Sequence, residues 1–174
     1  PSDDPLLTAS IAPTLEPGDL VVLARHGAPS NAYLVRCADP QVPGRFVVGR
    51  AIAKGGQTVG FDSEVVAVDG HCTPSGHNCD PAQWIVHDPT SDSDIQLECE
   101  VEEYGEADFE VLRSAIDPAA STQEKVEPGR WFLVSDDRHV HLDSRDYGGL
   151  APGTCQHITF RLAKAGSISL ALLW

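Results

Sequence analysis

Lysine is scarce in this chain: Lys54, Lys125 and Lys164 are its only three. With 12 Lys and Arg against 26 Asp and Glu, the formal net charge is −14. That balance excludes nucleic acid and anionic membrane surfaces as electrostatic partners. Long hydrophobic runs are also missing. No stretch reaches the roughly 20 apolar residues that a membrane-spanning helix needs, so the chain as given reads as soluble. No signal-peptide pattern is present, and the chain opens on polar Pro1-Ser2-Asp3-Asp4. Sustained i, i+3, i+4, i+7 apolar spacing is absent, which argues against a helical domain. There are no internal repeats and no low-complexity tracts.

What recurs instead are short runs of Val, Leu, Ile and Phe between Pro, Gly, Asp and Ser punctuation. They lie at Leu20–Leu23, Ala32–Val35, Arg45–Val48, Ser63–Val68, Gln83–Val86, Ile95–Val101, Phe109–Leu112, Trp131–Val134 and Ile158–Leu162. This pattern predicts a mostly β fold, an antiparallel β-sheet domain with few or no helices. The polar segment Asp88–Asp94 reads as an exposed hairpin tip. Asp117–Glu127 reads as a loop with room for one helical turn. A chain of 174 residues suits a single domain over 1–174, with 71–127 expected to hold its smaller, variable β subregion.

Five cysteines suggest an oxidising compartment outside the cytoplasm. Cys72 and Cys79 flank a turn-rich segment that could close a small disulfide ring. The alternative is a metal site built from His71, Cys72, His77 and Cys79; the disulfide is the preferred reading, because a second ligand pair elsewhere is not obvious. Cys37, Cys99 and Cys155 remain, two to pair and one to stay free.

The most informative stretch runs from Val134 to Gly148, Val-Ser-Asp-Asp-Arg-His-Val-His-Leu-Asp-Ser-Arg-Asp-Tyr-Gly. An apolar run, Trp131–Val134, delivers it into the body of the domain. Buried charge is costly unless paired and hydrogen-bonded, so such a loop is either a salt-bridge knot or the wall of an active site. Asp136, Asp137, His139 and His141 offer the further option of ligating a divalent cation.

The order of residues in this loop resembles the last sequence box of the type I signal peptidases, membrane-anchored serine proteases with a Ser-Lys dyad. That box reads Gly-Asp-Asn-Arg-Asp-Asn-Ser-x-Asp-Ser-Arg-x-x-Gly. Asp136, Arg138, Asp143, Ser144, Arg145 and Gly148 keep its frame, and Ser135, Asp137, His139, Val140 and His141 depart from it. Near the start of the chain, Thr8-Ala9-Ser10-Ile11-Ala12-Pro13-Thr14-Leu15 followed by Gly18-Asp19 is similar to the nucleophile box Ser-x-Ser-Met-x-Pro-Thr-Leu. The resemblance places Ser10 as nucleophile, with the Thr8 hydroxyl and the Ser10 amide as oxyanion donors. A short Cys-loop-Cys occurs in some members of that family, which favours Cys72–Cys79 as the candidate disulfide.

One position breaks the pattern. Aligned on Arg50, Gly56 and Val59, the family's catalytic lysine falls on Gly49, and glycine offers no base. Lys54 lies five residues further on, an odd offset that points to the opposite face of a strand. His141 occupies the place of a serine that hydrogen-bonds the dyad lysine, and it is the candidate substitute base, with Asp143 or Asp136 fixing its tautomer. The opposing reading makes it a polar wall residue, and His139 stands in the same position. The alternation of these two histidines suggests a shared face. His26, His87 and His157 read as surface or core fillers, and Asp143 with Arg145 as a buried ion pair supporting the site.

The resemblance implies a serine endopeptidase that removes signal peptides from exported proteins, with Ser10 and His141 catalytic. Asp136, Arg138, Asp143, Ser144 and Arg145 would be supporting residues, and no cofactor or metal is required. The alternative is a catalytically inactive, lysine-less homologue that binds peptides or regulates an active peptidase. Expected partners are signal peptides and, through an anchor outside this chain, the membrane. The expected place is the extracytoplasmic face of the cytoplasmic membrane.

Overall fold

A computed structural model describes residues 4–24, 32–62, 64–72, 74–105, 107–115 and 121–162. A short helix α1 (Pro5–Ser10) is followed by β1 (Leu20–Ala24), β2 (Leu34–Ala38), β3 (Phe46–Lys54), β4 (Thr58–Asp62), β5 (Val65–Val68) and β6 (His71–Cys72). Then come β7 (Pro74–Asp88), β8 (Ser93–Tyr104), β9 (Ala107–Arg113), β10 (Thr122–Lys125) and β11 (Trp131–Val134), a one-turn helix α2 (Ser144–Tyr147) and β12 (Cys155–Leu162). The fold is mostly β, as the punctuated apolar runs predict.

Three sheets carry it, in the orders β1-β12-β2-β3-β11, β10-β4-β5-β6 and β7-β8-β9, and every strand pair within them is antiparallel. The pivot is β3, buried from Val47 to Ala53 except at Arg50. It is flanked by β2 and β11, and it contributes Val47 and Ala51 to one core and Ile52 and Ala53 to another. Burying Phe132 and Leu133 of β11 against these cores stabilises the strand by about 1.5–3 kcal/mol per side chain. That fixes the point from which the charged loop departs.

The Asp88–Asp94 segment is the expected hairpin tip, between the ends of β7 and β8. Three expectations change. Part of the Asp117–Glu127 region is strand, because β10 pairs with β4 from Thr122↔Phe61 to Lys125↔Thr58. The segment carrying Ser10 is helical, because Asp4 caps it through the Leu6 and Leu7 amides and Pro5 occupies the first turn.

The third change concerns the cysteines. The disulfides are Cys37–Cys155 and Cys79–Cys99, and Cys72 is free and exposed. Cys72 sits on β6 opposite Ala67, whereas the chain then leaves that sheet and β7 runs beside β8. Cys79 thereby meets Cys99, and the ring expected between Cys72 and Cys79 does not form. Oxidation of Cys79 also removes it from the alternative metal set with His71, Cys72 and His77. Cys37 and Cys155 are direct cross-strand partners of β2 and β12.

Candidate functional site

The loop between β11 and α2 is almost wholly buried: Ser135, Asp136, Asp137, Arg138, Asp143 and Ser144 are each at most 1% exposed. Such burial is tolerable only because cations and amides meet the carboxylates. Asp136 takes two bonds from Arg50, Nε to Oδ1 at 2.7 Å and Nη2 to Oδ2 at 3.0 Å. The same guanidinium donates to the Thr14 hydroxyl at 3.1 Å, and Thr14 in turn donates to Asp136 Oδ2. One arginine on β3 thus joins the Thr14 turn to the charged loop.

Asp143 holds the other end. Its carboxylate accepts from Arg145 Nε and Nη2 at 3.0 and 2.7 Å and from the Ser135 amide at 2.8 Å. Burial pushes its pKa upward, but Arg145, His141 and the Ser135 amide outweigh that and leave it below the usual carboxylate range. Asp143 also caps α2 in a reciprocal box with Asp146. Ser144 anchors the turn by accepting the Leu133 amide at 2.9 Å. Arg138, whose side chain is fully buried, donates to the Ser135 carbonyl at 2.8 Å and to Glu102 of β8 at 2.6 Å. Glu102 is shared with Arg113 of β9, so the third sheet is tied to the loop by charge. The expected ion pair of Asp143 and Arg145 is present, and Arg113, Glu102 and Glu64 are partners that sequence reading missed. They come from β8, β9 and the β4–β5 connection, far away in sequence, and no local motif marks them.

Ser10 lies at the C-terminal end of α1 and is 0% exposed. Its carbonyl accepts the Asp137 amide at 3.1 Å, which seats the helix against the loop. Its hydroxyl donates to the Leu7 carbonyl at 3.0 Å. The Thr8 hydroxyl donates to the Asp4 carbonyl at 3.1 Å. Gly49 is buried on β3 opposite Val35. By strand alternation it shares a face with Val47 and Ala51, in the core that also contains Leu7 and Leu142. A Cβ at this position would stand 3.1 Å from the Val134 carbonyl oxygen and 3.4 Å from the Leu133 Cβ. Lys54 and Lys125 are exposed, and neither donates to Ser10 among the described contacts; Lys164 and His26 lie outside the described residues.

The two loop histidines part company. His139 Nδ1 meets Glu64 Oε1 at 2.8 Å, between β4 and β5. His141 Nδ1 meets Asp146 Oδ2 at 3.0 Å, on α2. The loop is not a strand, so alternation does not put them on one face. Asp146, not Asp143 or Asp136, is the carboxylate that orients His141; the Asp143-x-x-Asp146 capping spacing was the signal that could have found it. His141, Asp143 and Asp146 offer ligand atoms within 4.8 Å of one another, but Arg145 already occupies both Asp143 oxygens. His87 is an exposed surface residue beside Asp94, and His157 stacks edge-on against Tyr33.

Asp137 is the exception among the loop's buried carboxylates, having no cationic partner on its Oδ2. Its Oδ1 accepts the His139 and Val140 amides at 3.0 and 2.7 Å, while Oδ2 is buried without a partner. Burial raises its pKa to about 7; the two amides and the His139 ring pull the other way, and Glu64 adds to the rise.

No curated protein sequence matches this chain. A family model described as "Signal peptidase, peptidase S26" matches residues 5–156. The match begins at the first residue of α1 and ends within β12, so it contains Ser10, Gly49 and the whole Ser135–Gly148 loop. With its β-rich fold and its guanidinium-bound loop, the chain belongs to the signal peptidase family, peptidase S26.

Proposed function

We propose that this domain binds the signal peptides of exported proteins as a signal-peptidase-I-like module and does not cleave them, Gly49 standing where the family's lysine base would be. The observation that carries this reading is the Ser10 hydroxyl. It is buried and donates to a main-chain carbonyl of its own helix. A serine becomes a nucleophile when a neighbouring base takes its proton; a backbone carbonyl cannot do so. In keeping with this, a side chain at Gly49 would first meet the Leu133–Val134 segment of β11.

One observation favours the second reading, a histidine-based endopeptidase. Asp146 meets His141 at Nδ1, and a neutral imidazole donating there to the carboxylate would present Nε2 as an acceptor, as in a serine protease. In that reading substrate draws the Ser10 hydroxyl off Leu7 and onto His141, with Thr8 and the Ser10 amide stabilising the oxyanion.

A precursor peptide carrying a signal sequence, followed by mass spectrometry and fluorescence anisotropy, separates the two. The non-cleaving reading expects binding that survives Ser10→Ala and no cleavage products. It further expects Gly49→Lys to introduce cleavage, once β11 gives by a few tenths of an ångström. Wild-type cleavage that both Ser10→Ala and His141→Ala abolish would install the histidine mechanism instead. Cleavage abolished by Lys54→Ala would restore a displaced lysine.

A further inference from the structure

One set of buried charges around the Ser135–Gly148 loop is out of balance. Asp136 is matched by Arg50, and Asp143 by Arg145. Glu100 and Glu102 share Arg113 and Arg138, two cations for two carboxylates. Among the described residues, the buried pair Asp137 and Glu64 has only the His139 ring to set against it. Nδ1 of that ring meets Glu64 Oε1 at 2.8 Å, and the His139 amide donates to Asp137 Oδ1 at 3.0 Å. Glu64 Oε2 accepts the Ser114 amide at 2.6 Å, just beyond β9. The ring brings at most one positive charge against two carboxylates, and Asp137 Oδ2 is buried without a partner. Buried charge that nothing compensates is costly, and binding a proton removes it.

Asp137 also lies on a seam. On one side β9 runs beside it: the Leu112 amide donates to the Asp136 carbonyl at 2.9 Å, and the Arg138 amide donates to the Leu112 carbonyl at 2.8 Å. Arg113 and Arg138, both on Glu102, lock that side further. On the other side the Asp137 amide donates to the Ser10 carbonyl at 3.1 Å. Helix α1 contains no charged residue, and its capping Asp4 is paired with Arg45. We propose that Asp137, His139 and Glu64 form a proton-operated latch on α1. While the set holds its extra proton, Asp137 stays buried and its amide keeps the Ser10 carbonyl in place. When the proton leaves, water enters to solvate the carboxylate. The α1 side, held by one backbone bond and apolar packing, yields before the β9 side, and the helix carrying Ser10 is released from the loop. Burial, with a smaller push from Glu64, brings the Asp137 pKa to about 7 against the pull of the two amides and the His139 ring. The latch is therefore closed in acid and opens as pH rises toward neutrality. It sets the seating of Ser10 whether or not that serine cleaves.

Amide hydrogen exchange read residue by residue against pH tests this. Each rate is divided by that of the unstructured chain, which removes the pH dependence of exchange itself. Protection of the Thr8, Ala12 and Asp137 amides is expected to fall about tenfold or more between about pH 5 and pH 8, while amides in β3 and β8 keep theirs. Asp137→Asn is expected to hold α1 protection flat across that range. In wild type the fall levels off near the Asp137 pKa of about 7. Glu64→Gln, which takes away the like charge, is expected to move that point to lower pH. His139→Gln, which takes away the ring's pull, is expected to move it to higher pH. If Asp137→Asn fails to fold, these opposite shifts decide. Protection of α1 that ignores pH in wild type, or falls equally in Asp137→Asn, would overturn the latch. So would a fall spread evenly over β3 and β8, which is global unfolding, or shifts of one sign in the Glu64 and His139 variants. No peptide is present, so the signal-peptide experiment can fail while this one succeeds.

Discussion

The Ser135–Gly148 loop and helix α1 are joined by a backbone hydrogen bond, Asp137 amide to Ser10 carbonyl, and by shared apolar packing, yet they are built on opposite terms. In the loop, Asp136, Asp143 and Arg138 are buried and held by several partners each. In α1, six residues long, the Thr8 and Ser10 hydroxyls merely close back on their own helix. A loop of interlocked charges is expensive to perturb and tolerates little rearrangement. A single helical turn, stabilised by one cap and one packed face, is cheap to move. Asp136, Asp143 and Arg138 are therefore held far more firmly than Ser10.

The contrast breaks most clearly at Arg138. Arg138→Ala removes a buried cation from Glu102 and from the Ser135 carbonyl, so the loop and the third sheet lose their ionic tie and keep the backbone bonds between Leu112 and the Asp136–Arg138 segment. A loss of about 3–5 kcal/mol is expected, read as a fall in the urea midpoint with an unchanged slope. A change under about 1 kcal/mol would mean that Arg113 alone satisfies Glu102 and that the knot is looser than its burial implies.

Asp137 gives the next largest effect, with a pH signature. Its pKa is about 7 in the folded protein against a reference value of 3.8. The folded state therefore holds this proton more tightly than the unfolded chain does. Stability from this group is present in full below about pH 4 and is lost as pH rises through 7. At about 1.4 kcal/mol per unit, the loss is at most about 4 kcal/mol. Asp137→Asn keeps an acceptor for the His139 and Val140 amides without the charge. It is expected to raise the melting temperature by several degrees at pH 8 and to leave it unchanged near pH 4. A pH-independent difference would mean that Asp137 does not titrate with folding.

How much of this was legible beforehand follows the range of the interactions. Strand positions were legible because alternation and punctuation are local, and so was the pairing of Asp143 with Arg145, two residues apart. The box order also led to Ser10 and the charged loop. What stayed hidden depends on sheet assembly: Glu102 and Arg113 reach Arg138 from β8 and β9, and Cys79 finds Cys99 because β7 runs antiparallel to β8. Helix α1 was missed because six residues are too few for an apolar period, and its cap, Asp4 before Pro5, was the only mark it left. The departure of His141 toward Asp146 was hidden by treating the loop as a strand.

The smallest effect is the most instructive for α1. Ser10→Ala removes one satisfied hydroxyl-to-carbonyl bond from a buried site and substitutes a better helix former. If the hydroxyl is merely structural, the bond's loss and the gain in propensity nearly cancel, and stability changes by no more than about 1 kcal/mol in either direction. A nucleophile held in a strained or poorly solvated state for catalysis behaves differently, because sites shaped for activity commonly give up stability. Relief of such strain would appear as a gain well beyond about 1 kcal/mol, above what propensity alone provides. The urea midpoint of Ser10→Ala, set beside that of Thr8→Ala as a control for a hydroxyl on the same turn, therefore reads the state of Ser10 without any substrate. Equal, small shifts in the two variants belong to a serine that only completes a helix. A stabilisation confined to Ser10 would argue for the histidine-based peptidase.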